Sequence, residues 1–255
     1  MITLEPQLKR KLPSLYSTPV DALHLSWQIL LCNGLMYLLL GTATLDWLPI
    51  WSLLIGIPVL LVRWILLVHD LFHLRRETEV GWVIRLLPIL ATPLALGYKE
   101  YQEIHTGHHR FMATPSDPEY YQICGNPFWG FWNALTSPEQ AFFRWVTAQG
   151  LSQKLLSESA IRLCLFGVIV GLSGKVFLWY WIPLRLAYGV GYFVFFYCLH
   201  RRGEEYGVYS LKLPEWLQFM LMLVLGRKAL MEICYHDVHH AYPRVAPQYL
   251  PIVGK

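Results

Sequence analysis

The sequence predicts an all-α integral membrane protein, with four transmembrane helices in two hairpins and a cytosolic helical cap that carries most of its histidines. Three observations predict it. Only 15% of the 255 residues are charged and 55% are hydrophobic, whereas a soluble domain carries roughly 25% charged residues. Four apolar segments approach the ~20 residues of helix that cross a bilayer. Lys and Arg fall almost entirely on one side of the resulting arrangement.

The elements follow in chain order. The first twenty residues are polar and basic (Lys9, Arg10, Lys11). They lack an apolar core followed by a cleavage site, so no secretory signal is expected. The first span runs from about Leu23 to Gly41 and the second from about Leu48 to Val68. The link Thr42–Trp47 is short enough to make them a hairpin. The third span runs from about Leu155 to Leu172, with a polar first turn at Ser157, Glu158 and Ser159. The fourth runs from about Val176 to Leu199, across a link of Ser173–Lys175. Two more apolar stretches, Val83–Gly97 (with Pro88 and Pro93) and Leu213–Gly226, are too short to span comfortably and are expected at the interface or as re-entrant segments. No repeat, low-complexity tract or long linker divides residues 1–255, which are read as one domain.

The 21 Lys and Arg test this topology. Only Lys175 falls at the turn side of the two hairpins, while Arg63 and Arg185 lie within spans. All the others, Arg162 included, are assigned to the side that holds both termini, and the positive-inside rule makes that side cytosolic. Trp47, Trp51, Trp179 and Trp181 lie near the opposite ends, where an aromatic belt is expected. The five cysteines are scattered without a CxxC pair, which argues against a disulfide framework, a zinc ribbon or an iron–sulfur cluster.

Nine of the ten histidines cluster. His69 and His73 form HxxxH. His105, His108 and His109 form HxxHH, as do His236, His239 and His240. His200 follows the fourth span. Residues at i, i+3 and i+4 share one helix face, so each cluster presents its imidazoles together. Imidazole ligates zinc, copper, iron and nickel, and three converging faces could hold more than one ion. All nine fall on the cytosolic side at similar depth, which unrelated surface histidines would not do. His24 has no partner nearby in sequence and is read as interfacial. There is no HExxH, which disfavours a zinc protease with a glutamate base. A metal transporter fits less well, because transporters place their ligands near the midplane among broken helices.

The order HxxxH, HxxHH, HxxHH between paired hairpins resembles the membrane fatty acid desaturase superfamily, which includes acyl-lipid desaturases, fatty acid hydroxylases and carotenoid ketolases and hydroxylases. The first box begins His-Asp. Asp117-Pro118-Glu119-Tyr120 follows the second box, and the third lies in a run from Tyr235 to Pro243, with Leu250-Pro251 beyond. These details are similar to ketolases and to some desaturases, although the His-Asp-Ala-Met-His-Gly form usual in ketolases is missing. The resemblance implies a di-iron centre of two Fe2+ held by His69, His73, His105, His108, His109, His236, His239 and His240, with His200 as an additional ligand. Zinc is expected as a misloaded ion on expression, since imidazole accepts both.

The resemblance further implies O2 as co-substrate and oxidation of an unactivated C–H bond. Fatty acyl desaturation or hydroxylation is the leading reading, and β-carotene ketolation or hydroxylation is the alternative. A membrane lipid or carotenoid would be the substrate. No carrier segment is visible in the chain, so electrons are expected from a separate ferredoxin or cytochrome b5 type of donor, and no nucleic-acid partner is expected. A metal-bound histidine usually donates its other N–H to a carboxylate, carbonyl or water, and Asp70, Glu103, Asp117 and Asp237 are the acids placed to accept it.

Overall fold

A computed structural model describes residues 11–73 and 93–254. The first helix, α1 (Pro19–Thr44), begins where the sequence caps it. The Thr18 hydroxyl accepts from the Asp21 N–H and the Asp21 carboxylate accepts from the Thr18 N–H. Pro19 occupies the first turn, where a missing N–H costs nothing. After a short link, α2 (Trp51–Phe72) returns alongside α1. It continues four residues past the apolar segment that ends at Val68, so His69 and Asp70 sit on its last turn and His73 closes it. The cap makes that extension possible. The Tyr98 hydroxyl donates to the Leu71 carbonyl at 2.7 Å and the Gln102 amide donates to the Phe72 carbonyl at 3.0 Å. Carbonyls that a helix end leaves free are thereby satisfied.

Helix α3 (Tyr98–Phe111) follows, then α4 (Pro127–Leu135), α5 (Ser137–Gln149) and α6 (Gln153–Ser173). Gly174, at φ +54°, turns α6 into α7 (Val176–Tyr192), a backbone conformation that glycine adopts without strain. α7 continues directly as a π-helical segment, Phe193–Cys198. The antiparallel strands β1 (Arg201–Arg202) and β2 (Glu205–Tyr206) come next. The chain then forms α8 (Glu215–Leu225), α9 (Arg227–Cys234), α10 (His236–Ala241) and α11 (Leu250–Val253). The fold is that of an all-α membrane protein. Among the described residues, α1, α2 and α6 are long and apolar enough to cross a bilayer.

The main core packs Leu25, Ile29, Leu53, Ile57, Leu61, Tyr180 and Leu184 between α1, α2 and α7. α6 stands more apart, with Leu163, Val168 and Leu172 exposed, as befits a helix that meets hydrocarbon on most sides. Its Arg162, assigned by sequence to the polar cytosolic side, is fully buried in the protein. The guanidinium donates to the Ala95 carbonyl and, at 3.0 Å, to Glu158 one turn earlier, so it is paired inside the protein and not solvated. The other two span arginines are paired as well: Arg63 donates to Gln28 of α1 at 3.1 Å, and Arg185 to the Leu135 carbonyl and, at 3.0 Å, to Glu139.

The Leu213–Gly226 stretch forms α8, too short to span. It exposes Trp216, Phe219 and Leu223 and stops at Gly226 with φ +89°. Most of the Val83–Gly97 stretch, through residue 92, lies outside the described residues, as do Lys9, Arg10, Arg75, Arg76, Arg85 and Lys255.

Candidate metal centre

Four stretches of chain bring the histidines together. The last turn of α2 supplies His69 and His73. α3 supplies His105, His108 and His109 from one face, His200 follows the π segment of α7, and α10 supplies His236, His239 and His240. Their ring nitrogens form two groups. His69, His73, His105, His109 and His239 offer ligand atoms that all lie within 4.8 Å of one another, and so do His108, His200 and His240. His236 joins the second group, its Nε2 lying 3.3 Å from His200 Nε2. His24 is exposed at the start of α1.

The spacing suits shared metal ions. Nε2 of His105 lies 2.9 Å from that of His73 and 3.2 Å from that of His109. In the second group, His200 Nε2 lies 3.1 Å from His108 and 3.2 Å from His240. Neighbouring ligands at metal–nitrogen bonds of about 2.1 Å stand roughly 3.0 to 3.4 Å apart, for octahedral and tetrahedral arrangements respectively. Nε2 of His69 and of His239 is buried without a hydrogen-bond partner, a costly state that a metal ion relieves. An all-imidazole donor set suits iron, as it does zinc or copper.

Electrostatics prepares the same rings. Burial holds His105, His109, His200, His236, His239 and His240 well below the usual imidazole range, with neighbouring histidines adding to the effect. They are therefore neutral at physiological pH, the form that ligates. His108 differs. Burial lowers it too, but its hydrogen bond to Asp117 and the charges of Glu119 and Asp117 outweigh burial and raise it.

The outer partners fix ring orientation. His69 Nδ1–H donates to Glu232 at 2.9 Å, His108 Nδ1–H to Asp117 at 2.8 Å, and His200 Nδ1–H to the Phe196 carbonyl at 3.0 Å. Each bond leaves Nε2 for a metal. Glu232 also stands 4.0 Å from His239 Nδ1, and Glu119 stands 4.0 Å from His105 Nδ1. Asp70 hydrogen-bonds Glu232, the carboxyl that holds His69. Burial pushes Glu232 up to about 8 and Glu119 up to about 7.

The remaining two predicted acids point elsewhere. Glu103 is exposed and pairs with Lys99 at 3.7 Å, because it lies two positions before His105 and four before Gly107, which puts it off the histidine face of α3. Asp237 bonds Ser210 and the Val238 N–H, so it anchors the start of α10.

An apolar cavity adjoins the first group. α2 contributes Trp64, Ile65 and Val68 to its wall, α3 contributes Tyr98 and Tyr101, and α7 contributes Tyr188, Tyr192, Phe195 and Phe196. His69 and His105 are the histidines among its lining residues, with Glu119 beside them.

The fatty acid desaturase family matches residues 45–255. The chain belongs to that family. The match takes in every histidine of the two groups and starts just beyond α1. Alkane 1-monooxygenase of Ectopseudomonas oleovorans is 26% identical over 228 residues, covering 82% of this chain and 54% of that protein. The chain thus spans about half the length of this curated relative. No solved structure matches. Within this desaturase-family site, Glu232 is the residue that the sequence did not single out. It lies four residues before the third box on a different helix, and nothing in its neighbourhood marks it. Glu119 stood in the Asp-Pro-Glu-Tyr run, but only the structure turns it toward His105.

Proposed function

We propose that the chain is a membrane di-iron oxygenase that oxidises an unactivated C–H bond of a fatty acyl or alkyl chain, by desaturation or hydroxylation. The observation that carries this reading is the apolar cavity that reaches His69 and His105 from among the membrane helices. The first group and the second group would each hold one iron, and the metal pair would supply O2 activation. Hydroxylation consumes O2, two electrons and two protons to give an alcohol and one water. Desaturation with the same inputs gives a double bond and two waters.

The protein's own contribution is positional. Buried imidazoles stay neutral and aimed. Glu232, Asp117 and the Phe196 carbonyl hold three of them in one orientation. The aromatic wall excludes water and places a chain against the first group, where proximity alone is worth several orders of magnitude in rate. The alkane in the relative's name favours an open chain over a carotenoid ring. Electrons would come from a separate carrier of ferredoxin or cytochrome b5 type.

The membrane arrangement belongs to the same proposal. α7 with its π segment would be the fourth crossing, since 23 residues of helix (Val176–Cys198) extend roughly 35 Å, enough for the ~30 Å hydrocarbon core. In this arrangement Lys11, Lys99, Arg110, Arg144, Lys154, Arg201, Arg202, Lys212, Arg227, Lys228 and Arg244 would fall on the histidine side and only Lys175 on the other among the described residues, which supports a cytosolic site.

The test is product analysis in two hosts, one rich in saturated acyl lipids and fed alkanes, the other making β-carotene, each with a ferredoxin system. New double bonds or hydroxyls on linear chains, lost in His108→Ala and His239→Ala, are expected. Keto or hydroxy carotenoids with unchanged linear chains would move the protein to the carotenoid branch.

A further inference from the structure

The π-helical segment Phe193–Cys198 sits where the substrate cavity meets the histidines. It carries two consecutive side chains, Phe195 and Phe196, that both face the bundle interior and are 6% and 5% exposed. Both line the cavity. Their rings cover different histidines. Phe195 lies against His69 at 4.6 Å and His236 at 4.8 Å between ring centroids, and Phe196 lies against His108 at 5.5 Å and His200 at 6.0 Å.

The consequence is an asymmetry. His69 and His105, from the first group, open on the cavity. His108, His200 and His236, from the second, stand behind the two phenyl rings. We infer that Phe195 and Phe196 form a partition that admits the substrate chain to the first histidine group and bars it from the second, and so determine which of the two metal positions the chain meets. π-helical insertions occur frequently at functional sites, and this one carries two adjacent aromatic side chains on one wall of the cavity. The inference rests on the proposed function in taking the cavity as the substrate site and the histidines as metal ligands.

The experiment uses the full-length protein in detergent, loaded anaerobically with 57Fe2+ and examined by Mössbauer spectroscopy with and without dodecane or a palmitoyl phospholipid. In the wild type, one of two quadrupole doublets is expected to shift on addition of a chain. In Phe196→Ala, both should shift. Phe196→Leu keeps the wall filled with apolar volume and should retain the single-doublet response, and two irons bound per chain in each variant establishes that the site has folded. Both doublets moving in the wild type, or only one moving in a Phe196→Ala protein that holds two irons, would overturn the partition. Two bound irons with neither doublet responding to either chain would overturn the cavity reading itself, and the partition with it. Failure to bind iron would overturn the metal assignment.

Discussion

The two histidine groups are built from the same side chain but are set in different surroundings. The first (His69, His73, His105, His109, His239) touches the cavity and is backed by carboxyls, Glu232 and Glu119, that burial has pushed toward their neutral form. The second (His108, His200, His240, with His236 beside it) has phenyl rings against His108, His200 and His236 and is backed by Asp117 and a main-chain carbonyl. Identical ligands therefore do not make identical sites. What a ring's other nitrogen touches, and whether substrate can reach it, divides the labour.

The largest effects should come from removing a ligand in either group. His69→Ala and His108→Ala are each expected to lower bound iron from two per chain to one, and turnover by more than 100-fold, since loss of a mere outer partner already costs 10- to 100-fold. Iron counted by mass spectrometry checks this. A variant that kept both irons would remove that histidine from the ligand set.

Next in size are the outer partners. Glu232→Gln should weaken metal affinity about 10- to 100-fold, and Asp117→Asn should do the same for the second group. Glu119→Gln should cost less, because Glu119 stands 4.0 Å from His105, beyond hydrogen-bond reach. Competition with a chelator, measured for each variant, ranks them. Equal losses at Glu119 and Glu232 would mean that the His105 contact tightens once metal is bound.

These partners also mark how far the sequence could be read. Three of the four expected spans were legible as apolar runs of bilayer length, and the histidine boxes as imidazoles at i, i+3 and i+4. The HxxxH spacing already carried the helix past Val68, but what satisfies its last carbonyls was not legible, since Tyr98 and Gln102 come from α3. Of the four acids named from sequence, Asp117 meets a histidine, Asp70 acts through Glu232, and Glu103 and Asp237 turn away. Proximity in sequence cannot fix the direction of a side chain. Glu232 and the π segment depend on contacts between distant elements and leave no local signature.

A smaller effect concerns pH in the metal-free protein. Histidines held below their ordinary value of 6.5 bind fewer protons folded than unfolded, so they raise stability as pH rises to about 6.5. Glu119 at about 7 and Glu232 at about 8, against an ordinary 4.5, bind more protons folded, so they lower stability as pH rises through those values. The raised His108 acts in the same direction above 6.5. The thermal midpoint of the metal-free protein should climb to about pH 6.5 and then decline toward pH 8. Glu232→Gln should flatten the decline, and a decline unchanged in that variant would assign it to Glu119 and His108.

The smallest expected effect separates sequence position from contact most sharply. Glu103 and Glu119 are both acids close to the second box, yet Glu103 is exposed and paired with Lys99 at 3.7 Å, an arrangement worth little at a surface, while Glu119 is buried beside His105. Glu103→Ala should change stability by no more than about 0.5 kcal/mol and leave iron content and turnover unaltered. Iron lost from Glu103→Ala would mean that α3 rotates on metal binding to bring that face inward, and the division between the histidine face and the solvent face of the helix would then have to be redrawn.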